Sequence, residues 1–203
     1  MSKDLLVFPS KSSSTPDSLA TWGRAAVVLM LAGAIIGPLL DGAHTHTDTA
    51  RYTKPVFWLM AWWTPLIFAA ASLATGLAYP LMERLLKRQT PPLSATTVAL
   101  ANALFYFYYL MSAYLPTDNY GKTIVLAVLW GVLWFAFDRT LIGIVMSAST
   151  ALCGPLVEAS LAWIDVYHYV TPNLYSVPSW LPLLYASAAI GNGFLGKALV
   201  DRK

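Results

Sequence analysis

The sequence predicts an all-α, polytopic membrane protein with six transmembrane helices and both termini cytoplasmic. Three observations carry this. Of the 203 residues, 57% are hydrophobic and only 11% charged, where a soluble domain has about 25% charged. The apolar residues fall in helix-length runs of roughly 20 rather than in alternating segments of about ten, which excludes a β-barrel. Finally, the run Leu133-Trp134-Phe135-Ala136-Phe137 stops on Asp138-Arg139 and a new apolar run starts at Leu141. Two membrane helices joined by a tight charged turn need that arrangement, since only the turn meets water. In hydrocarbon each backbone polar group must be bonded within its own segment, which leaves helices.

Residues 1–20 are polar, with Ser12-Ser13-Ser14-Thr15-Pro16, and read as a disordered cytoplasmic tail. The apolar run after them lacks a small-residue cleavage pattern, so the tail is not a signal peptide. Residues 21–203 form the transmembrane domain. Span one covers Trp22 to Leu40, with Arg24 able to snorkel to the interface. Span two covers Val56 to Leu81, span three Leu93 to Leu115, and span four Tyr120 to Phe137. Span five covers Leu141 to Trp163 and span six Val177 to Val200. Gly33 and Gly37 in span one, and Gly143, Ser147 and Ala151 in span five, let helices approach closely where lipid removes the hydrophobic drive to associate. Pro65, Pro155 and Pro182 fall inside spans, each removing a helix hydrogen bond, and predict kinks. Trp63-Thr64-Pro65 and the residues to Ala71 echo Trp180-Leu181-Pro182 and the residues to Ala188. Spans two and six are therefore expected to share kinked outer ends anchored by Trp.

Arg51, Lys54 and Lys122 lie on one side of this topology, and every other lysine and arginine lies on the side of the termini. The excess of positive charge makes the second side cytoplasmic. The outer loops are then Asp41 to Pro55, Pro116 to Asn119 and Ile164 to Ser176; the inner ones are Glu83 to Pro92 and the Asp138-Arg139 turn. Net charge is only +3, which reflects membrane sidedness rather than a nucleic-acid partner. Cys153 is the single cysteine, so no intrachain disulfide forms.

Glu158 is the most unusual residue. It sits inside span five just after Gly154-Pro155, and an acid within a span is a functional candidate by default. It either lines a polar pocket, holds a lipid head, takes up a proton, or serves packing through a hydrogen bond. Asn102 and Asn192 are weaker signals of the same kind, more often interhelical bonds than ligand contacts. His44, His46 and His168 share the outer side with Asp41, Asp48 and Asp165, but without the spacing of a zinc site. Asp165 and His168 read as shaping a surface turn. Gly191-x-Gly193-x-x-Gly196 follows no strand and lies in a span, so it is not a dinucleotide site. No metal, cofactor or nucleophile–base–acid arrangement is expected. Spans three and four are aromatic-rich, with Phe105 to Tyr109, Trp130, Trp134 and Phe135. Aromatic and aliphatic walls with one or two polar groups suit a neutral lipid rather than a charged solute.

A series of motifs resembles the Insig (insulin-induced gene product) family of membrane proteins. Ala61-Trp62-Trp63-Thr64-Pro65 opens span two, and Gly76-Leu77-Ala78-Tyr79-Pro80 with Glu83-Arg84 closes it. Leu133-Trp134 with Phe137-Asp138-Arg139 closes span four. Val166-Tyr167-His168-Tyr169, Thr171-Pro172, Ser179-Trp180-Leu181-Pro182 and Gly191-Asn192 follow in order, so the match covers roughly Trp62 to Lys197. The resemblance implies six spans, cytoplasmic termini and a role without catalysis. Animal members bind oxysterols within the membrane, retain a sterol-sensing escort protein in the endoplasmic reticulum, and promote degradation of the reductase of sterol synthesis. It implies that Asp138 meets a partner and that Phe105 and Trp134 contact sterol. The family's second Arg after that Asp is replaced by Leu141, the first outer loop differs, and the tails are short. The compact, Ala-rich chain fits a prokaryotic member, in which the escort protein and reductase would be absent.

The expectation is therefore a non-enzymatic, Insig-like regulator or sensor, with Phe105, Trp134, Asn102 and Glu158 binding a sterol or diacylglycerol-like lipid. Asp138 and Arg139 face a membrane-protein partner or stabilise the turn, and small-residue faces are compatible with a homo-oligomer. The membrane is the endoplasmic reticulum in a eukaryote and the inner membrane in a prokaryote. The alternatives are a small proton-coupled transporter using Glu158, a metal-dependent enzyme using the three histidines, and a structural scaffold.

Overall fold

Helix α5 (Leu141–Trp163) occupies the residues predicted for span five, because both ends are set locally. The Thr140 hydroxyl caps its first turn, accepting from Gly143 N at 3.0 Å. The chain turns away after Trp163, with Asp165 at φ 56°. The computed structural model describes residues 19–201. The polar segment expected over residues 1–20 lies, but for its last two residues, outside the described residues. The remaining elements are α1 (Leu19–His46), β1 (Ala50–Tyr52), α2 (Thr64–Leu85), α3 (Ala95–Tyr114), α4 (Asn119–Leu133), β2 (Tyr167–Tyr169) and α6 (Leu181–Asp201). A π-helical turn, Trp134–Asp138, ends α4. Five of the six helices are long and apolar enough to cross a membrane. The sixth, α3, carries Asn102, Ser112 and a run of tyrosines, which lower its hydropathy.

Three helices differ in their limits from the sequence reading. Helix α1 runs past Leu40 to His46, so Asp41 and His44 belong to a helix and not to an outer loop. Both find partners inside the bundle, which makes the extra turn tolerable. Helix α2 starts at Thr64 rather than Val56, and continues past Glu83 to Leu85. Residues 56–63 instead form a tight turn closed by the bridge Phe57–Met60, with Trp58 and Leu59 at φ 45° and 62°. Helix α6 starts at Leu181 rather than Val177, after a matching bridge Leu174–Val177 with Tyr175 at φ 54°. Pro65 and Pro182 are consequently the second residues of their helices and kink nothing. A first-turn N–H has no helical acceptor anyway, so proline is well suited there. Pro155 does lie inside α5, as Pro38 does inside α1.

The echo between spans two and six is part of a larger duplication. Thr75 and Asn192 are 117 residues apart and hydrogen-bonded to each other at 2.7 Å. The same spacing relates Gly37-Pro38-Leu39-Leu40-Asp41 to Gly154-Pro155-Leu156-Val157-Glu158, and Trp63-Thr64-Pro65 to Trp180-Leu181-Pro182. It relates Asp48 (φ 55°) to Asp165 (φ 56°), and the Phe57–Met60 bridge to the Leu174–Val177 bridge. Thus α1–β1–α2 and α5–β2–α6 are two copies of one unit. Strands β1 and β2 pair antiparallel with Arg51 opposite His168, which are themselves equivalent residues. An approximate two-fold axis therefore passes between them. The second helices of the two units meet near it, the Gly196 face of α6 lying on the backbone of Gly76 in α2. Helices α3 and α4 are inserted between the copies and have no counterpart.

At the opposite end from the strands, Lys197 Nζ donates to Glu83 Oε2 at 2.9 Å, and the Arg84 guanidinium lies 4.4 Å from the Trp22 ring. Those contacts bring the start of α1 and the ends of α2 and α6 to one face of the bundle.

Candidate functional site

Glu158 sits at the meeting point of two cavities of about 100 and 190 Å³. The first lies between α1, α2, α3 and α6, among Gly33, Gly37, Phe68, Phe105, Tyr109 and Tyr185. The second lies between α2 and α5 under the strands, among Asp41, Trp63, Thr75, Thr150, Cys153 and Tyr185. Glu158, Phe68, Ala71, Thr75 and Tyr185 border both. The cavities follow the duplication: Gly33, Ile36, Gly37 and Leu40 in one become Thr150, Cys153, Gly154 and Val157 in the other.

Glycine opens both spaces. A β-carbon on Gly37 would fall 2.3 Å from the Phe68 ring, and one on Gly154 2.2 Å from the ring of Tyr185, the equivalent residue. Only a glycine lets those rings cross their neighbouring helices there.

Each repeated unit also carries an acid held by tyrosine. Tyr52 donates to Asp41 Oδ2 at 2.6 Å, and its equivalent Tyr169 donates to Glu158 Oε2 at 2.6 Å. The second oxygens differ. Tyr185 donates to Glu158 Oε1 at 2.6 Å. Its counterpart Phe68 has no hydroxyl, and Tyr109 from the inserted α3 reaches Asp41 Oδ1 at 3.3 Å instead. Each carboxyl thus accepts two phenol hydrogens and retains lone pairs for a further donor. Burial at the paired strands pushes the phenols of Tyr52, Tyr167 and Tyr169 up from their usual range. On the surface at the strand end of the bundle, the hydrogen bond from Arg51 holds the Asp48 carboxyl below its usual range.

Asp41 begins a buried polar chain toward the strand end of the bundle. His44 Nδ1 lies 3.6 Å from Asp41 Oδ1, and His44 Nε2 lies 2.8 Å from Ser112 Oγ. Lys122 Nζ donates to the Ser112 carbonyl at 2.7 Å. Neither His44 nor Ser112 borders either of these cavities, and Ser112 is fully buried, so the chain ties α1, α3 and α4 together. Among the described residues no three His, Cys, Asp or Glu side chains converge as metal ligands.

The structure brings Phe105 and Glu158 to the same cavity. Asn102 and Trp134 border neither cavity. The Asn102 amide donates to Val98 O and Gly191 O, both at 2.9 Å, which fastens α3 to α6. Asn192 donates to Ser72 O at 2.9 Å across the α2–α6 contact and borders the first cavity. Trp134 lies in the π turn, where its Nε1 donates to Thr140 O at 3.2 Å. Asp138 folds back beneath the start of α5. It accepts from Tyr79 Oη at 3.0 Å and from Thr140 N at 3.1 Å, and also from the Thr140 hydroxyl. A β-carbon on Gly143 would stand 1.8 Å from Asp138 Oδ2, so glycine is required for this fold-back. Arg139, at φ 54°, is exposed; its Nε donates to Phe135 O and its guanidinium lies 4.2 Å from the Phe135 ring.

Sequence reasoning weighed Asp41 only beside the histidines, and gave Tyr52, Tyr109, Tyr169 and Tyr185 no part in a site. The signal available was the repeated Gly-Pro-Leu followed by an aliphatic residue and an acid, ending at Asp41 and at Glu158.

The chain matches no protein-family model. It is 28% identical over 186 residues to insulin-induced gene 1 protein of Danio rerio, covering 87% of this chain and 72% of that one. It is 30% identical over 186 residues to insulin-induced gene 1 protein of Cricetulus griseus, covering 87% and 70%. Its fold matches the crystal structure of a mycobacterial Insig homologue from Mycobacterium vanbaalenii, with TM-score 0.78 and 23% identity over 89% of this chain and 96% of that one. A cross-linked trimer of the same homologue matches with TM-score 0.77 and 24% identity over the same shares. With these sequence relatives and this shared arrangement of helices, the chain belongs to the Insig family of multi-pass membrane proteins.

Proposed function

We propose that this chain is a non-catalytic, Insig-like regulator that holds a neutral lipid, sterol or diacylglycerol-like, between its two repeated units and acts through membrane-protein partners. The observation that carries the reading is the cavity around Glu158. Its walls are mostly glycine, aliphatic and aromatic residues, with Ser72, Thr75, Thr150 and Asn192 among them, and its acids already accept tyrosine hydrogens. Such a site offers apolar contact over most of a ligand and a hydrogen-bond acceptor for a hydroxyl. Phe105 gives apolar contact, and Glu158 the polar one. Asn102 and Trp134 act from outside the cavity, by holding α3 on α6 and by shaping the inner turn.

Asp138 and Arg139 belong to the face that also holds the ends of α2 and α6, which is the cytoplasmic face on the charge distribution. Asp138 is committed to Tyr79 and Thr140, so its part in partner binding is to set the shape of the turn, while exposed Arg139 is available for contact. The cross-linked trimer of the mycobacterial homologue supports homo-oligomers as one form of assembly.

Native mass spectrometry with lipid extraction, on protein purified in mild detergent, tests the reading. One neutral lipid held stoichiometrically and lost in Phe105→Ala is the expected result. Only loosely bound bulk phospholipid would overturn it.

A further inference from the structure

The two units are equivalent, but the inserted helices cover only one of them. Helix α3 lies over α1 and α6, with Phe105 packed so closely on Gly191 that a β-carbon there would come within 2.9 Å. In the first cavity every lining residue is buried or half-buried, including Ile36 and Leu40. Among the described residues, no helix covers the corresponding place between α2 and α5. The second cavity is lined in part by Ala74, Cys153 and Val157, and all three are exposed at the outside of the bundle. Val157 is 49% exposed where its equivalent Leu40 is 9% exposed. Ala74 is exposed where its equivalent, Gly191, is buried. Residues that border a cavity and the exterior at once mark its mouth.

That mouth lies near the middle of the 23-residue α5, at the level of the bilayer interior. A mouth at that depth faces the acyl chains, so what passes through it comes from the lipid. The larger cavity is the one behind it, and it leads to Glu158. We propose that the neutral lipid enters and leaves sideways from the bilayer, between α2 and α5 beside Ala74, Cys153 and Val157. Helix α3 lies over the equivalent gap between α1 and α6. This rests on the lipid-binding reading above and adds its route.

Cys153, as the single cysteine, allows a reversible plug. The protein is reconstituted in phosphatidylcholine vesicles, loaded with pyrene-labelled diacylglycerol, and chased with unlabelled diacylglycerol. Exchange is followed by pyrene emission excited through tryptophan. A bulky aryl methanethiosulfonate on Cys153 slows exchange by about tenfold or more without displacing the loaded lipid, and dithiothreitol restores the rate. Ala74→Trp slows exchange in the same way from the facing helix. In a Cys153→Ser background, Ile36→Cys reacts far more slowly, because α3 covers it. Unchanged exchange with Cys153 fully modified and lipid still held would overturn the route while leaving lipid binding in place. Failure of the unmodified protein to hold any diacylglycerol would overturn the binding reading, and the route with it.

Discussion

The side-chain amide of Asn192 donates to Thr75 Oγ1 at 2.7 Å, joining two residues that hold the same position in the two repeated units. The bond lies where α2 and α6 meet close to the approximate two-fold axis. The same amide also donates to Ser72 O at 2.9 Å, so one residue fastens the two halves at several points. Asn192→Ala should cost about 1 kcal/mol, seen as a fall of roughly 2–4 °C in the unfolding midpoint in detergent. Thr75→Val should couple to it in a double-mutant cycle, whereas additive effects would show that the bond is idle.

Tyr185 and Phe68 are equivalent residues that differ by one hydroxyl. Tyr185→Phe makes the second unit resemble the first and removes one donor to Glu158. Its loss should be near 1 kcal/mol. Combining it with Tyr169→Phe leaves the Glu158 carboxyl without either phenol donor. The double variant should lose clearly more than the sum of the singles, because the acid is then half-buried with neither partner. Chemical denaturation of the four proteins checks this.

Two glycines should respond in opposite directions. Gly143→Ala places a methyl group against Asp138 and should cost about 3 kcal/mol, breaking the turn between α4 and α5. Nothing lies within 4 Å of a β-carbon at Gly131. Gly131→Ala should instead stabilise α4, by up to about 1 kcal/mol from helix propensity. Equal effects in thermal unfolding would refute the assignment of Gly143 as the partner of Asp138.

Phe105 borders the cavity and Trp134 does not. Phe105→Ala should therefore lower co-purified lipid, while Trp134→Ala chiefly loosens the inner turn by removing the bond to Thr140 O. Lipid content and proteolysis after Arg139 separate the two. A larger lipid loss in Trp134→Ala would move the ligand toward the inner turn.

Alkaline pH tests the tyrosines of the paired strands. Burial raises the folded-state values of Tyr52, Tyr167 and Tyr169 above their unfolded ones. The stability they contribute is present below about pH 10 and declines as pH rises beyond it, where the unfolded chain releases their protons first. Tyrosinate absorbance should show part of the 11 tyrosines appearing together with loss of helical circular dichroism. Full ionisation before any loss of helix would contradict their burial.

The family resemblance, the helical membrane class, the limits of α5 and the aromatic character of α3 were legible because each depends on local composition or on short motifs. So was the anomaly of Glu158, since an acid in an apolar run is visible without a structure. The reach of α1 past Asp41 was not legible. A buried acid and histidine in the last two helical turns are tolerated only when Tyr52, Tyr109 and Ser112, distant in sequence, supply the hydrogen bonds. The proline echo was visible but its meaning was not, because whether a proline kinks a helix or begins one depends on where the preceding turn closes. The duplication was written in the chain as two Gly-Pro segments ending in an acid. Only the antiparallel pairing of β1 with β2 converts that repeat into an axis. The single-sided cover by α3 belongs wholly to the tertiary structure: equivalent sequences become buried at Leu40 and exposed at Val157 because burial is decided by what packs on a residue, not by the residue itself.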